Sequence, residues 1–274
     1  MNITLVAGPP GSGKTTWISQ FLSHSERPSE RPLFYLCPAA GKEAIDRLRI
    51  GYRFPKVKVI DDAQAAEVLL NLFDPAQVYV EVGFHLDLAS LPFNSLPCRK
   101  VAVVPSEVVQ ASERTNQQWS KWHDLADELV VGNTVHPPEA NYLPELWRVS
   151  LTGQVFDPPS LDTVLTEMTG GAYGRVIRLK GVFEMPGGQA WYIDFAEGLP
   201  GIEYTELKLP LSLKGRPTRM GGLEMVGYSL QQPTMAETLQ AACLSDELLV
   251  QYQRQYRQHY KTTNTVNNTQ ENVA

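Results

Sequence analysis

The stretch Gly8-Pro9-Pro10-Gly11-Ser12-Gly13-Lys14-Thr15 constrains this chain more than any other part of it. It follows the apolar run Asn2–Ala7. It precedes a segment that sets Trp17, Ile18, Phe21 and Leu22 at i, i+1, i+4 and i+5, the spacing of one helical face. Strand, glycine-rich turn and helix in that order are the frame of a phosphate-binding loop. Gly8, Gly11 and Gly13 permit backbone geometries and close approach that a Cβ would block. The N–H groups of the loop and the first turn of the helix then form a nest for phosphate oxygens. In a loop of this pattern Lys14 reaches the β- and γ-phosphates and the Thr15 hydroxyl coordinates Mg²⁺. Thr16 is placed for an α-phosphate oxygen, and Pro9, Pro10 and Ser12 complete the cradle. Accidental occurrence of the pattern is on the order of 1 % in a chain of this size, and the flanking strand and helix lower it further.

Composition removes several other functions. A formal charge of -6 and a pI near 5.4 lack the basic footprint of sequence-independent nucleic-acid binding. No apolar run approaches the roughly 20 residues of a membrane span. The first residues carry no basic segment and enter a strand pattern at once, so no secretory signal is expected. Cys37, Cys98 and Cys243 are widely spaced and odd in number, as in reduced structural thiols. These features predict a cytoplasmic protein with neither a nucleic-acid nor a membrane partner.

Short apolar runs alternate with helical patterns over the first 150 residues or so, which predicts an α/β fold, a mostly parallel P-loop NTPase sheet flanked by helices, in a nucleotide-binding domain over 1–170. The strand candidates are Asn2–Ala7, Leu33–Cys37, Val57–Ile60, Val78–Val82, Lys100–Val104, Glu128–Gly132 and Trp147–Leu151. Helices are expected over Asp62–Phe73, Gln110–Ala126 and Ser160–Met168. The repeated Ser-Glu-Arg-Pro of residues 25–32 reads as a solvated loop. Thr169-Gly170-Gly171-Ala172-Tyr173-Gly174 reads as a linker to a small C-terminal α+β domain over 175–260. That domain has strands at Arg175–Glu184, Ala190–Phe195 and Gly222–Tyr228 and helices at Met235–Leu244 and Ser245–Tyr260. The Asn- and Thr-rich residues 261–274 are expected to be disordered.

A nucleotide site of this type needs a second acidic group at the end of a neighbouring strand. Glu81 is the first choice: it interrupts Val78-Tyr79-Val80-Glu81-Val82, where an unpaired carboxylate is costly to bury. Asp61, at the end of Val57–Ile60, is the second choice, and its competing role is a helix N-cap.

With these residues in place the chain resembles the CobW-like P-loop GTPases, relatives of the HypB and UreG metallochaperones. The loop and its helix carry the resemblance, together with Val80-Glu81-Val82-Gly83 and Arg175–Phe183. The last of these is similar to that family's Arg-x-Lys-Gly strand. The resemblance implies Mg²⁺-dependent GTP hydrolysis, with Lys14 and Glu81 in catalytic roles; Thr15 and Glu81 are the expected metal ligands, with Asp61 the alternative on strand-end geometry alone. It also implies nucleotide-dependent switching of the C-terminal part, a client protein, and a place in metal or cofactor homeostasis. Two family motifs are missing. Only Cys37 precedes Glu81, so the Cys-x-Cys-Cys site cannot be built. The guanine-reading Asn-Lys-x-Asp is replaced by Asn133-Thr134-Val135-His136. Asn133 can still touch a base, and ATP stays open beside GTP.

Two further functions compete with the GTPase: a nucleotide-binding scaffold with negligible hydrolysis, and a small-metabolite kinase. The kinase ranks last because residues 86–97 hold no arginine for a lid. His85, His136 and the tyrosines at 252, 256 and 260 are each read first as structural or solvent-facing. Arg178 and Lys180 share one strand face, either solvated or turned toward the nucleotide.

Overall fold

β1 (Asn2–Ala7) is buried on both faces after its first residue, as expected for a strand in the middle of a parallel sheet with helices on either side. Residues 2–24, 32–38, 44–71, 76–86, 97–110, 124, 126–135 and 143–271 are described by the computed structural model. The partners of β1 are β2 (Leu33–Leu36), β3 (Lys58–Ile60), β4 (Gln77–Glu81), β5 (Cys98–Val104) and β6 (Glu128–Val131). All pair in parallel, in the order β3-β2-β4-β1-β5-β6. β1 therefore lies between β4 and β5, and its C-terminal end delivers the phosphate loop beside the end of β4.

Period-2 alternation divides the side chains between two cores. Leu5, Val78, Val80, Ala102 and Val104 face α3 (Asp62–Asn71) and α4 (Ser106–Gln110), represented by Ala65 and Val108. Val6, Tyr35, Tyr79 and Val103 face α1 (Lys14–His24) and α2 (Ile45–Arg53), represented by Ile18, Leu22 and Ile50. The expected inward face of α1 is narrower than its sequence suggests. Ile18 and Leu22 are buried, whereas Phe21 is exposed and packs at a tilt against Trp17, with 4.4 Å between ring centroids.

A second sheet is wholly antiparallel: β7 (Glu145–Ser150), β8 (Arg175–Glu184), β9 (Ala190–Ala196), β10 (Glu203–Leu207) and β11 (Gly222–Tyr228), in the order β10-β9-β8-β11-β7. One face packs on α5 (Pro158–Thr169) and α6 (Gln232–Ala241) through Leu161, Leu165, Met168, Met235 and Leu239. The N-terminus of α5 is set by Asp157, whose carboxylate accepts from the Ser160 N–H at 3.2 Å ahead of two prolines. The other face takes Ile45 and Leu48 of α2 against Val182, Ala190 and Tyr192. α2 is thus wedged between the two sheets.

Several expectations need correction. The strand at Trp147–Leu151 belongs to the antiparallel sheet, where β7 pairs with β11 and Arg148 meets Glu224. Residues 169–174 form a tight turn within one packed unit, since α5 before them and β8 after them share a core. The changeover between sheets therefore falls between β6 and β7, well before residue 170. The final helix, α7 (Asp246–Glu271), covers most of the stretch expected to be disordered. That stretch lacks apolar periodicity, yet no Gly or Pro interrupts it. α7 turns Leu249 and Gln253 inward and leaves Tyr252 exposed. The Gln253 amide clamps both backbone groups of Gly215 at 2.8 Å. The helix expected over Gln110–Ala126 lies mostly outside the described residues, as does His136. No helix among the described residues is long and apolar enough to cross a membrane.

Candidate functional site

The loop between β1 and α1 has the backbone its glycines suggest. Gly8, Gly11 and Gly13 adopt φ of 146°, 78° and 96°, a region L side chains rarely enter. At Gly8 a Cβ would also lie 2.2 Å from the Val103 carbonyl oxygen. The Lys14 ammonium donates to the carbonyl oxygens of Gly8 and Pro9, each at 3.0 Å, so the lysine is folded over its own loop. Burial pushes the Lys14 amine below its ordinary value, and nearby Glu81 opposes that push. Asn133 braces the loop from β6: its side-chain amide donates to the Gly11 carbonyl at 2.9 Å and its backbone N–H to the Ser12 carbonyl at 3.0 Å. Gly132 allows the approach, because a Cβ there would meet the Ser12 oxygen at 2.2 Å.

Beside the loop stand two buried carboxylates with one hydroxyl between them. Thr15 Oγ1 is 2.8 Å from Glu81 Oε1 and 3.2 Å from Asp46 Oδ1. Glu81 is 4 % exposed and Asp46 6 %. A hydroxyl has one proton and cannot donate to both anions. Two carboxylate oxygens and a hydroxyl oxygen converging in a buried space are a donor set suited to a hard divalent cation such as Mg²⁺. Tyr35 donates to the other Glu81 oxygen at 2.8 Å and fixes the carboxyl plane. Burial, then the Asp46 charge, push the Glu81 carboxyl up from its ordinary value. Burial pushes Asp46 up, but Lys180, Arg178 and Arg49 together hold it down to about 2.

Strand β8 brings two cations to the same place. Lys180 is ion-paired to Asp46 and, at 2.7 Å, to Glu224, which Arg148 holds at 2.6 Å. Arg178 forks onto Asp194 of β9, and its stem runs beside Gly11: a Cβ on Gly11 would be 3.7 Å from Arg178 Cδ and 3.2 Å from Ala196 Cβ. A cleft of about 300 Å³ lies between the phosphate loop, the end of β4, α2 and the second sheet, at the lower end of the size of small-molecule sites.

Of the residues expected here, Pro10, Gly11, Gly13, Lys14, Thr15, Thr16, Glu81 and Asn133 line this cleft. Gly8 and Pro9 lie beneath it as acceptors for Lys14. Ser12 is fully buried, and its hydroxyl has no hydrogen-bond partner among the described residues. Asp61 is elsewhere: it caps α3, accepting from the Gln64 N–H at 2.9 Å while the Gln64 side chain returns to the Asp61 N–H at 3.2 Å. A carboxylate engaged in such a reciprocal cap serves its helix. His85 lines the cleft with its ring folded over Gly83, and burial, then Arg148, push its imidazole down. Sequence reading missed Asp46, Glu224 and Tyr35. Their signal was faint: Asp46 sits in an unrecognised helix, and Glu224 interrupts an apolar strand much as Glu81 does.

No protein-family model matches the chain, and no curated protein matches it. Among solved structures it is similar to a Zn(II)-bound YjiA GTPase from E. coli, at 11 % identity and a TM-score of 0.28, over 88 % of this chain and 98 % of that one. It is also similar to a Zn(II)-bound triple mutant of YjiA GTPase, at 12 % identity and a TM-score of 0.29 over the same shares. What makes the first sheet one of the P-loop NTPase type is its own strand order, with the Gly8–Thr15 loop leaving a central β1 next to the carboxylate that ends β4.

Proposed function

We propose that the chain is a Mg²⁺-dependent nucleoside triphosphate hydrolase whose nucleotide state is felt by the antiparallel sheet. The observation that carries this reading is Thr15 facing both Glu81 and Asp46 at the mouth of a left-handed glycine loop. Thr15, Glu81 and Asp46 would hold the cation, directly or through water, and the cation would offset charge on the β- and γ-phosphate oxygens. The loop N–H groups would cradle the β-phosphate. Lys14 would exchange its two carbonyl acceptors for phosphate oxygens and stabilise the charge that builds as water attacks the γ-phosphorus and the bridging P–O bond breaks.

The resemblance of the phosphate loop, Val80–Gly83 and β8 to CobW-like GTPases supports GTP as the nucleotide. The use of the Asn133 amide as a brace for Gly11 leaves base selection weak and keeps ATP in play. A client protein and a role in metal or cofactor homeostasis belong to the same reading. Single-turnover hydrolysis of GTP and ATP with Mg²⁺ tests it, with Lys14→Ala as the control. The wild type should turn over at least one of them well above the variant. Equal rates would remove the enzyme and leave a nucleotide-binding scaffold.

A further inference from the structure

Lys180 ties the phosphate side of the first sheet, through Asp46 of α2, to the middle of the second sheet, and Arg49 of α2 makes a longer link to Asp194 at 3.9 Å. The Lys180 ammonium has three donors, and two of them go to Asp46 of α2 and Glu224 of β11. It is 13 % exposed, and both carboxylates are at 8 % by side chain, so the bridge sits in a poorly solvated place. Arg178, two residues away, is already committed to Asp194 and to the Leu179 carbonyl of its own sheet. Lys180 also lies close enough to Lys14 to disfavour its charge. Two ammonium groups gathered at one cleft are most readily stabilised by an anion between them.

Asp46 has two tasks that compete. Its Oδ1 faces Thr15 and its Oδ2 faces Lys180. A cation bound on the Oδ1 side draws on the same carboxylate charge and weakens the hold on Lys180. We propose that Lys180 reads the terminal phosphate from the second sheet: it bridges Asp46 and Glu224 and moves from Asp46 to a γ-phosphate oxygen when a triphosphate with its divalent cation binds. This rests on the phosphate-loop reading above and adds to it a residue that distinguishes triphosphate from diphosphate. The exchange also gives the signal a route. Lys180 and Glu224 are register partners on β8 and β11, and Arg148 extends the chain of charges to β7. α2 packs on both sheets and carries Asp46.

Calorimetry with Mg²⁺ and a non-hydrolysable imido analogue of GTP, against GDP, tests the proposal, with the corresponding adenine pair run alongside. Lys180→Met keeps the stem and removes the charge. It should lower the ratio of triphosphate to diphosphate affinity by about 10-fold or more, as loss of a charged hydrogen bond does. Lys180→Arg should restore most of the ratio. A Lys180→Met protein that is folded and has the wild-type ratio would overturn the proposal and leave nucleotide binding intact. A wild type that binds no member of either pair would sink both readings. Should Lys180→Met not fold, hydrogen exchange on the wild type decides: altered protection of α2 and β11 with the triphosphate analogue alone supports the exchange, and equal changes with the diphosphate refute it.

Discussion

Glu81 and Asp46 sit within reach of one hydroxyl, yet their surroundings drive them in opposite directions. Glu81 is pushed up by burial and by Asp46; Asp46 is pulled to about 2 by Lys180, Arg178 and Arg49 against its own burial. The raised Glu81 carboxyl binds its proton more tightly folded than unfolded, so its ionisation at neutral pH destabilises the nucleotide-free fold. Glu81→Gln should therefore raise the Tm of the free protein at pH 7. It should weaken Mg²⁺-triphosphate binding by about 10-fold or more, and a melting curve with a titration checks both. Asp46 has the other sign. Its contribution is present above its ordinary value of 3.8 and is lost as pH falls toward about 2. Asp46→Asn should lose less stability across that interval than the wild type, as acid melts will show. At Gly132 the constraint is space rather than φ: a Cβ there would strike the Ser12 oxygen at 2.2 Å. Gly132→Ala should separate Asn133 from the phosphate loop and reduce nucleotide affinity more than stability.

Among the elements, α2 does the most and was the hardest to foresee. Ile45, Leu48 and Tyr52 follow helical spacing toward the second sheet while Ile50 turns to the first, but the helix is only 9 residues long and Gly51 interrupts it. A periodicity search works over windows of roughly 11–18 residues, and so short a run does not fill one. β10 escaped for a related reason, being an edge strand whose first three residues are exposed and show no alternation. Truncation of the α2 seam on the second sheet tests the wedge. Leu48→Ala should cost about 2–5 kcal/mol and lower Tm by roughly 5–15 °C. It should also blunt any response of the antiparallel sheet to nucleotide, measured by exchange protection in β8 and β11.

For the molecule as a whole, the cleft lies where two sheets and α2 meet, so a ligand there ties together parts that otherwise touch through few elements. A bound nucleotide at about 100 times its Kd adds about 2.7 kcal/mol. A thermal scan should accordingly rise by roughly 5–10 °C with the cognate triphosphate, and the absence of a shift with GTP, GDP, ATP and ADP would count against the site. The parallel sheet and its phosphate loop were legible in the sequence, because strand, glycine turn and helix are written within about two dozen consecutive residues and obey local rules of φ and periodicity. So was Glu81, a carboxylate out of place in an apolar strand. Lys180 was legible only as one of two cations on a strand face, solvated or turned to the nucleotide; the second carboxylate and its pairing with that lysine were not. Asp46 lies 31 positions from Thr15 and 134 from Lys180, and at such separations no local pattern says which charges will meet. Chain topology and the packing of α2 between the sheets decided that pairing, because burial leaves a carboxylate few partners other than those the fold happens to bring beside it.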